Sequence, residues 1–260
     1  MQRDDEYKLR NVFIQLFSFI FTAFSFVSAL IAAEPLWVIA YTISIVLLLF
    51  FYHRAAKDTF VVFCRQVYFY LCLLANPGRK SYYFDEKVFE YTFTSLHSLT
   101  DVKTFIVHSR TNELPSIEQG FIFFKSVKKA TYEISSLSNH TVLPVEDAAG
   151  YHYVRITFDR PIDKGITTET KYQVAVQDPD NEVVPVYGYT NSTITKIVKL
   201  KVVIPPELNP KKIRLAIYAT NVDRSPIRTK DLIYSQEKHC ISCVIPFPVW
   251  KRRYAIEWEW

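Results

Sequence analysis

Two apolar runs open the chain, at residues 12–33 and 36–52, with Glu34 and Pro35 between them. At about 1.5 Å per residue, the first run is long enough to cross a hydrocarbon core of about 30 Å, and the second is just long enough. The pattern therefore predicts a two-helix transmembrane hairpin at residues 1–55.

The first run carries small side chains at steps of three and four residues. These positions are Ser18, Thr22, Ser25 and Ala29. This spacing places them on one helix face, which predicts close packing against the second span or against another copy of the chain.

Basic residues flank the outer ends of the two runs, while the turn between them contains no Lys or Arg. Positive flanks remain on the cytoplasmic side of a membrane. The sequence thus predicts a protein of the cell inner membrane with two spans in the lipid bilayer and both termini in the cytoplasm.

Residues 56–79 allow two readings. Residues 60–74 are almost entirely apolar or aromatic, apart from Arg65 and Gln66, so they are a possible third span. An arginine in the middle of such a short span is costly, which favours a juxtamembrane amphipathic helix followed by a linker. Pro77 and Gly78 are expected to end it.

From Lys87 onward the apolar period changes to two, which predicts a cytoplasmic β-strand-rich domain at residues 80–260. Clear alternation occurs at residues 154–158, 172–176, 200–204, 213–217 and 254–260, and weaker candidates lie at 88–94, 103–108, 121–125 and 240–246. Each half-buried face indicates antiparallel pairing. The predicted fold is a mainly antiparallel β-sandwich or barrel attached to the transmembrane hairpin.

Composition gives little support to catalysis. The chain has only 5 glycines among 260 residues, and no phosphate-binding loop or metalloprotease motif is present. Cys240 and Cys243 form a lone C-x-x-C, for which buried thiols are favoured over a metal or redox site. We therefore predict no enzyme, no cofactor and no metal.

The net charge is +5, and residues 196–230 contain nine basic and two acidic side chains. Lys199, Lys201 and Arg214 alternate with apolar residues on predicted strands, so they are candidates for one outward basic face. Such a face suits a nucleotide or another phosphate ligand. Two alternatives stay open, namely a solvated sheet face and attraction to anionic lipid headgroups, a role that Lys251–Arg253 would share.

The layout of a two-helix anchor at residues 12–52 followed by a β-region at 88–260 resembles the two-transmembrane β-strand-rich effectors of bacterial cyclic-oligonucleotide-based antiphage signalling. The resemblance implies a non-enzymatic effector in antiviral defence. Its β-domain would sense a cyclic nucleotide, and its copies would form a homo-oligomer that disrupts the inner membrane, with no DNA or RNA partner. The alternative is a passive membrane-anchored β-sandwich that binds or assembles an envelope complex.

Overall fold

The computed structural model describes residues 60–73, 81–95, 98–121, 131–148, 151–178, 185–205, 207–208, 210–220 and 222–260. These residues contain one helix, α1 at 60–73, and fourteen β-strands. The strands are β1 (Tyr82–Ser95), β2 (Ser98–Ser109), β3 (Leu114–Phe121), β4 (Thr131–Ser136), β5 (Thr141–Ala148), β6 (Tyr151–Ile162), β7 (Thr167–Gln177), β8 (Val186–Thr190), β9 (Thr195–Val203), β10 (Lys211–Tyr218), β11 (Arg228–Asp231), β12 (Tyr234–Ser235), β13 (Cys240–Pro246) and β14 (Arg253–Glu259).

The structure does not support the predicted transmembrane architecture. Within the described ranges, no helix is long and apolar enough to cross a membrane. At about 1.5 Å per residue, the described residues of α1 span about 21 Å, less than a hydrocarbon core of about 30 Å. The predicted hairpin lies outside the described residues. The predictions of a two-span fold and of an inner-membrane location are therefore not supported, whereas the lipid bilayer as a partner stays a prediction.

The chain divides after Cys64 into two units, and the second unit, Arg65–Trp260, is the one described below. That division falls inside α1. The predicted domain limits at residues 55 and 79 stay predictions.

The strands form three sheets. The large sheet has the order β12-β13-β9-β1-β2-β7-β4, a four-stranded sheet has the order β11-β10-β14-β8, and a three-stranded sheet has the order β3-β6-β5. Among the described strands, β1 and β9 run parallel and the other neighbouring pairs are antiparallel. All three sheets contribute to one hydrophobic core, which lies on the inner face of the large sheet.

Alternating side chains explain how this core is assembled. Along β2, every second side chain is buried, and the same alternation places Leu200 and Val202 of β9 in the core while Lys199 and Lys201 point outward. Aromatic rings join the layers, since Tyr91 of β1 stacks on Tyr187 of β8 at 4.5 Å between centroids. The strands predicted from clear alternation are present.

The core also contains charged groups, which is unusual for a sandwich interior. Asp101 and Lys103 lie on the buried face of β2 and form an ion pair. The Tyr187 hydroxyl donates to Asp101 Oδ1 at 2.6 Å. Burial, together with the Asp101 charge, holds the pKa of Tyr187 well above its usual range, so this phenol stays a hydrogen-bond donor.

A second polar cluster lies further along β1. Lys87 is almost completely buried, and its Nζ donates to Gln119 Oε1 at 3.0 Å and to Thr193 Oγ1 at 2.8 Å. The same Nζ lies 4.0 Å from the centroid of the Phe84 ring, a cation–π arrangement. These hydrogen bonds and the aromatic ring thus offset the loss of hydration of the buried Lys87 ammonium group.

Candidate functional site

The predicted phosphate-binding lysines are paired with carboxylates. Lys199 Nζ lies 2.7 Å from Glu86 Oε2, and Lys201 Nζ lies 3.1 Å from Glu90 Oε1. Both acids belong to β1, which runs parallel to β9 beside these lysines. An anionic ligand would have to displace a carboxylate at each position.

Arg214 lies apart from the two lysines. It belongs to β10 of the four-stranded sheet, and its Nε donates to Glu257 Oε2 at 2.9 Å. Leu200 and Leu215, which adjoin Lys199 and Arg214, both point into the shared core. The lysines and the arginine therefore lie on opposite outer surfaces, and the structure does not bring the three together as one face.

The other predicted positions give no further site. Ser18, Thr22, Ser25 and Ala29 lie outside the described residues. Within the described part of the chain, no group of three or more His, Cys, Asp or Glu side chains is placed to hold a metal ion.

Cys240 and Cys243 of the C-x-x-C are free thiols on β13. Cys240 is buried, and burial raises the pKa of Cys243 to about 12. Because the thiolate is the reactive form of cysteine, the Cys243 thiol is a poor nucleophile near neutral pH.

At about pH 8, iodoacetamide should modify the exposed Cys64 in the native chain while Cys243 stays unmodified, because its raised pKa leaves almost no thiolate. Mass spectrometry after brief labelling measures the two sites. In urea both cysteines should react. Equal labelling of both in the native chain would contradict the buried-thiol interpretation.

The loop that connects β13 to β14 carries an exposed tryptophan beside basic residues. We call residues 247–252 the Trp250 loop. Its indole is 53% exposed, and Lys251 Nζ lies 4.7 Å from the Trp250 ring centroid. An exposed indole beside cations offers both a stacking surface and positive charge.

Asn191 is buried just after β8 and forms hydrogen bonds to this loop. Its Nδ2 donates to the Pro248 carbonyl at 2.7 Å, and its Oδ1 accepts from the Tyr189 hydroxyl at 2.7 Å. Its backbone N–H donates to the Arg252 carbonyl at 3.0 Å, and its carbonyl accepts from Lys251 N–H at 2.7 Å. One side chain and its backbone therefore fix three positions of the loop.

The loop backbone is strained at two positions. Phe247 has φ 45° and Lys251 has φ 63°, in the left-handed region that side chains other than glycine rarely adopt. Phe247 N–H donates to the Lys196 carbonyl at 2.6 Å, and Val249 N–H donates to the Tyr254 hydroxyl at 2.8 Å. Strain of this kind persists only where the surroundings fix the conformation, so the Trp250 loop is a preorganised element.

The cations around the Trp250 loop differ from the predicted phosphate-binding cations in whether they form ion pairs. Among the residues that the structure describes, Lys251, Arg252 and Arg65 of α1 have no carboxylate within ion-pair distance, in contrast to Lys199, Lys201 and Arg214. Burial raises the pKa of Tyr254, and the charges of Arg65 and Arg252 oppose this shift. Arg65 and Arg252 therefore both influence the Tyr254 hydroxyl, which accepts a hydrogen bond from the loop.

Sequence reasoning found only part of this site. It identified the basic run Lys251–Arg253 but not Trp250 beside it. The role of Asn191 had no local signal, because its side chain contacts a position 57 residues away in the sequence. An aromatic residue directly before a basic triplet was the available local signal.

No protein-family model and no curated protein matches the sequence. Among solved structures, an M1 zinc metallopeptidase from Deinococcus radiodurans is similar at 12% identity and a TM-score of 0.37, over 69% of this chain and 43% of that chain. A candidate protease from Parabacteroides distasonis is similar at 9% identity and a TM-score of 0.42, over 69% of this chain and 40% of that chain. The chain thus spans less than half of either protein, and neither likeness assigns an activity to it.

Proposed function

We propose that the β-domain is a non-enzymatic binding module for a cyclic nucleotide, which it holds at the Trp250 loop. The observation that carries this proposal is the fixed display of a half-exposed indole among cations that have no carboxylate partner in the described part of the chain. Bases stack on aromatic side chains, and phosphates pair with Lys and Arg.

Preorganisation supports the proposal energetically. Ordering a flexible loop reduces affinity, whereas a loop already held by Asn191 and Tyr254 avoids most of that cost. Stacking on one base contributes about 1–3 kcal/mol, and each charge-assisted hydrogen bond to a phosphate adds to it. A ligand with two bases and two phosphates therefore suits this surface better than inorganic phosphate alone.

The biological role follows the resemblance given by the sequence. We propose that the module senses a cyclic oligonucleotide made by a partner synthase in antiphage defence, and that copies of the chain associate when it is bound. Such signalling needs no active site. It needs only that the associated form binds the ligand more tightly than the single copy does.

The test is a melting-temperature measurement on the purified full chain with cyclic di-AMP, cyclic di-GMP and a cyclic triadenylate. At one hundred times the dissociation constant, the matching nucleotide should stabilise the fold by about 2.7 kcal/mol. Trp250→Ala should weaken binding by about tenfold or more, since it removes the stacking surface. Lys251→Gln with Arg252→Gln should also remove most of the shift.

Two matched controls separate this site from general effects. Trp260→Ala removes another exposed indole, and Lys199→Gln with Lys201→Gln removes two cations that are already paired. Both controls should keep the nucleotide-induced shift. The proposal fails if no cyclic nucleotide raises the melting temperature, if Trp250→Ala keeps the full shift, or if a linear single-stranded oligonucleotide binds more tightly.

A further inference from the structure

We infer that residues 65–73 of α1 regulate the Trp250 loop: docking of this helix segment and the strained loop conformation stabilise each other. Only the effect of ligand on this linkage rests on the proposed function. The linkage itself rests on contacts within the ligand-free chain.

The first contact is aromatic. Phe69 is 4% exposed, and its ring centroid lies 5.6 Å from that of Phe247 and 6.0 Å from that of Tyr83. Phe247 is one of the two strained residues of the loop. Phe69, the buried side chain of α1, therefore packs directly against the Trp250 loop.

The second connection is electrostatic. The charge of Arg65 lowers the pKa of Tyr254, against the larger effect of burial, which raises it. The same hydroxyl accepts the Val249 N–H of the loop at 2.8 Å. Docked α1 thus adds a positive charge beside the group that supports the loop.

Apart from Phe69, most side chains of the helix segment are exposed. Arg110 Nη2 donates to the Leu73 carbonyl at 3.0 Å, while Val67, Tyr68, Tyr70 and Leu71 are all exposed. Elements with few buried contacts open locally at low cost. Loss of the Phe69 anchor is therefore expected to free residues 65–73 while the sandwich stays folded.

The sign of the coupling follows from charge. An anion bound beside Lys251 and Arg252 interacts favourably with Arg65 only while α1 is docked, so ligand binding should favour docking. Reciprocity requires that docking raise ligand affinity by the same factor.

Hydrogen exchange on the full chain without ligand tests the linkage. Phe69→Ala should accelerate exchange of the Phe247, Val249 and Lys251 amides by about tenfold or more, because these bonds lose their neighbouring anchor. Leu71→Ala, which truncates an exposed residue of the same helix, should leave those amides unchanged.

The reverse direction uses loop variants. Asn191→Ala removes the side-chain clamp, and the milder Tyr254→Phe removes only the acceptor for Val249 N–H. Either variant should accelerate exchange at residues 65–73. Faster exchange confined to the altered element, in the helix and loop variants alike, would overturn the linkage.

Saturating cyclic di-AMP supplies the ligand test. It should slow exchange at residues 65–73 in the wild-type chain, and Arg65→Gln should weaken its binding without altering the circular dichroism spectrum. If cyclic di-AMP protects the Trp250 loop but not the helix, the linkage fails while the proposed function stands. If no nucleotide binds, the proposed function fails, and the ligand-free exchange decides the linkage.

Discussion

Asp101→Ala should lower the free energy of unfolding by about 3–5 kcal/mol, because breaking a buried ion pair leaves its cation without the carboxylate that offsets its burial. Asp101 is paired with Lys103 and also accepts the Tyr187 hydroxyl at 2.6 Å, all within the core. Urea unfolding of the full chain, followed at the β-sheet circular dichroism signal, measures the loss.

Two comparisons test whether burial of the ion pair causes the loss of stability in Asp101→Ala. Glu90→Ala breaks the half-exposed pair with Lys201 and should cost no more than about 1 kcal/mol, since water screens that pair. Asp101→Leu combined with Lys103→Met removes both charges, and it should cost much less than Asp101→Ala. A similar loss for Asp101→Ala and Glu90→Ala would show that the interior pair is not the cause.

Trp258→Ala should cost about 3–5 kcal/mol, because it empties a large volume in a packed core. Trp258 is 3% exposed, and its ring centroid lies 5.9 Å from that of Phe93 on the facing sheet. Its position on β14 also places it between β10 and β8 in the four-stranded sheet. Thermal and urea unfolding of the variant measure the loss.

Trp258→Phe is the matched variant for this prediction. Within the described part of the chain, Trp258 Nε1 has no hydrogen-bond partner, so replacing the indole by a smaller ring loses contact area but no hydrogen bond. It should therefore retain most of the stability. Trp260→Ala, at a 42% exposed position, should also be mild. Wild-type stability in Trp258→Ala would mean that β14 is peripheral to the core.

Much of the sheet structure could be predicted from local alternation. Residues such as Leu200 and Val202, or Tyr254 and Ile256, repeat with period two, and the structure buries them in β9 and β14. The inner face of β2 was harder to recognise, because Asp101 and Lys103 occupy buried positions that apolar residues usually hold. The parallel pairing of β1 with β9 has no local signal, since it joins distant parts of the chain.

The structure gives no support to the predicted membrane spans, and α1 shows another use of an apolar run. Apolar length alone led to the two-span model, and no helix of the described residues meets the requirement for a span. In α1, the apolar side chain of Phe69 is used to anchor the helix on the aromatic residues Tyr83 and Phe247. An apolar run does not by itself distinguish lipid from protein as the partner of a helix.

The site was only partly predictable, because charge counted along the sequence ignores partners from other strands. Lys199 donates a hydrogen bond to Glu86, which lies 113 positions earlier in the sequence. The lysines that the sequence presents as a basic segment are therefore paired with carboxylates of β1. The Trp250 loop shows the opposite case. Its cations were visible in the sequence, but the clamp from Asn191 and the strain at Phe247 appear only after folding.

The central claim is that the Trp250 loop, rather than the outer faces that carry Lys199, Lys201 and Arg214, binds the nucleotide. Calorimetric titration of cyclic di-AMP, cyclic di-GMP and a cyclic triadenylate tests it directly, with the wild-type chain and two triple variants. Trp250→Ala/Lys251→Gln/Arg252→Gln should abolish the binding heat, and Lys199→Gln/Lys201→Gln/Arg214→Gln should keep wild-type affinity. Loss of binding in the second variant with retention in the first would contradict the account.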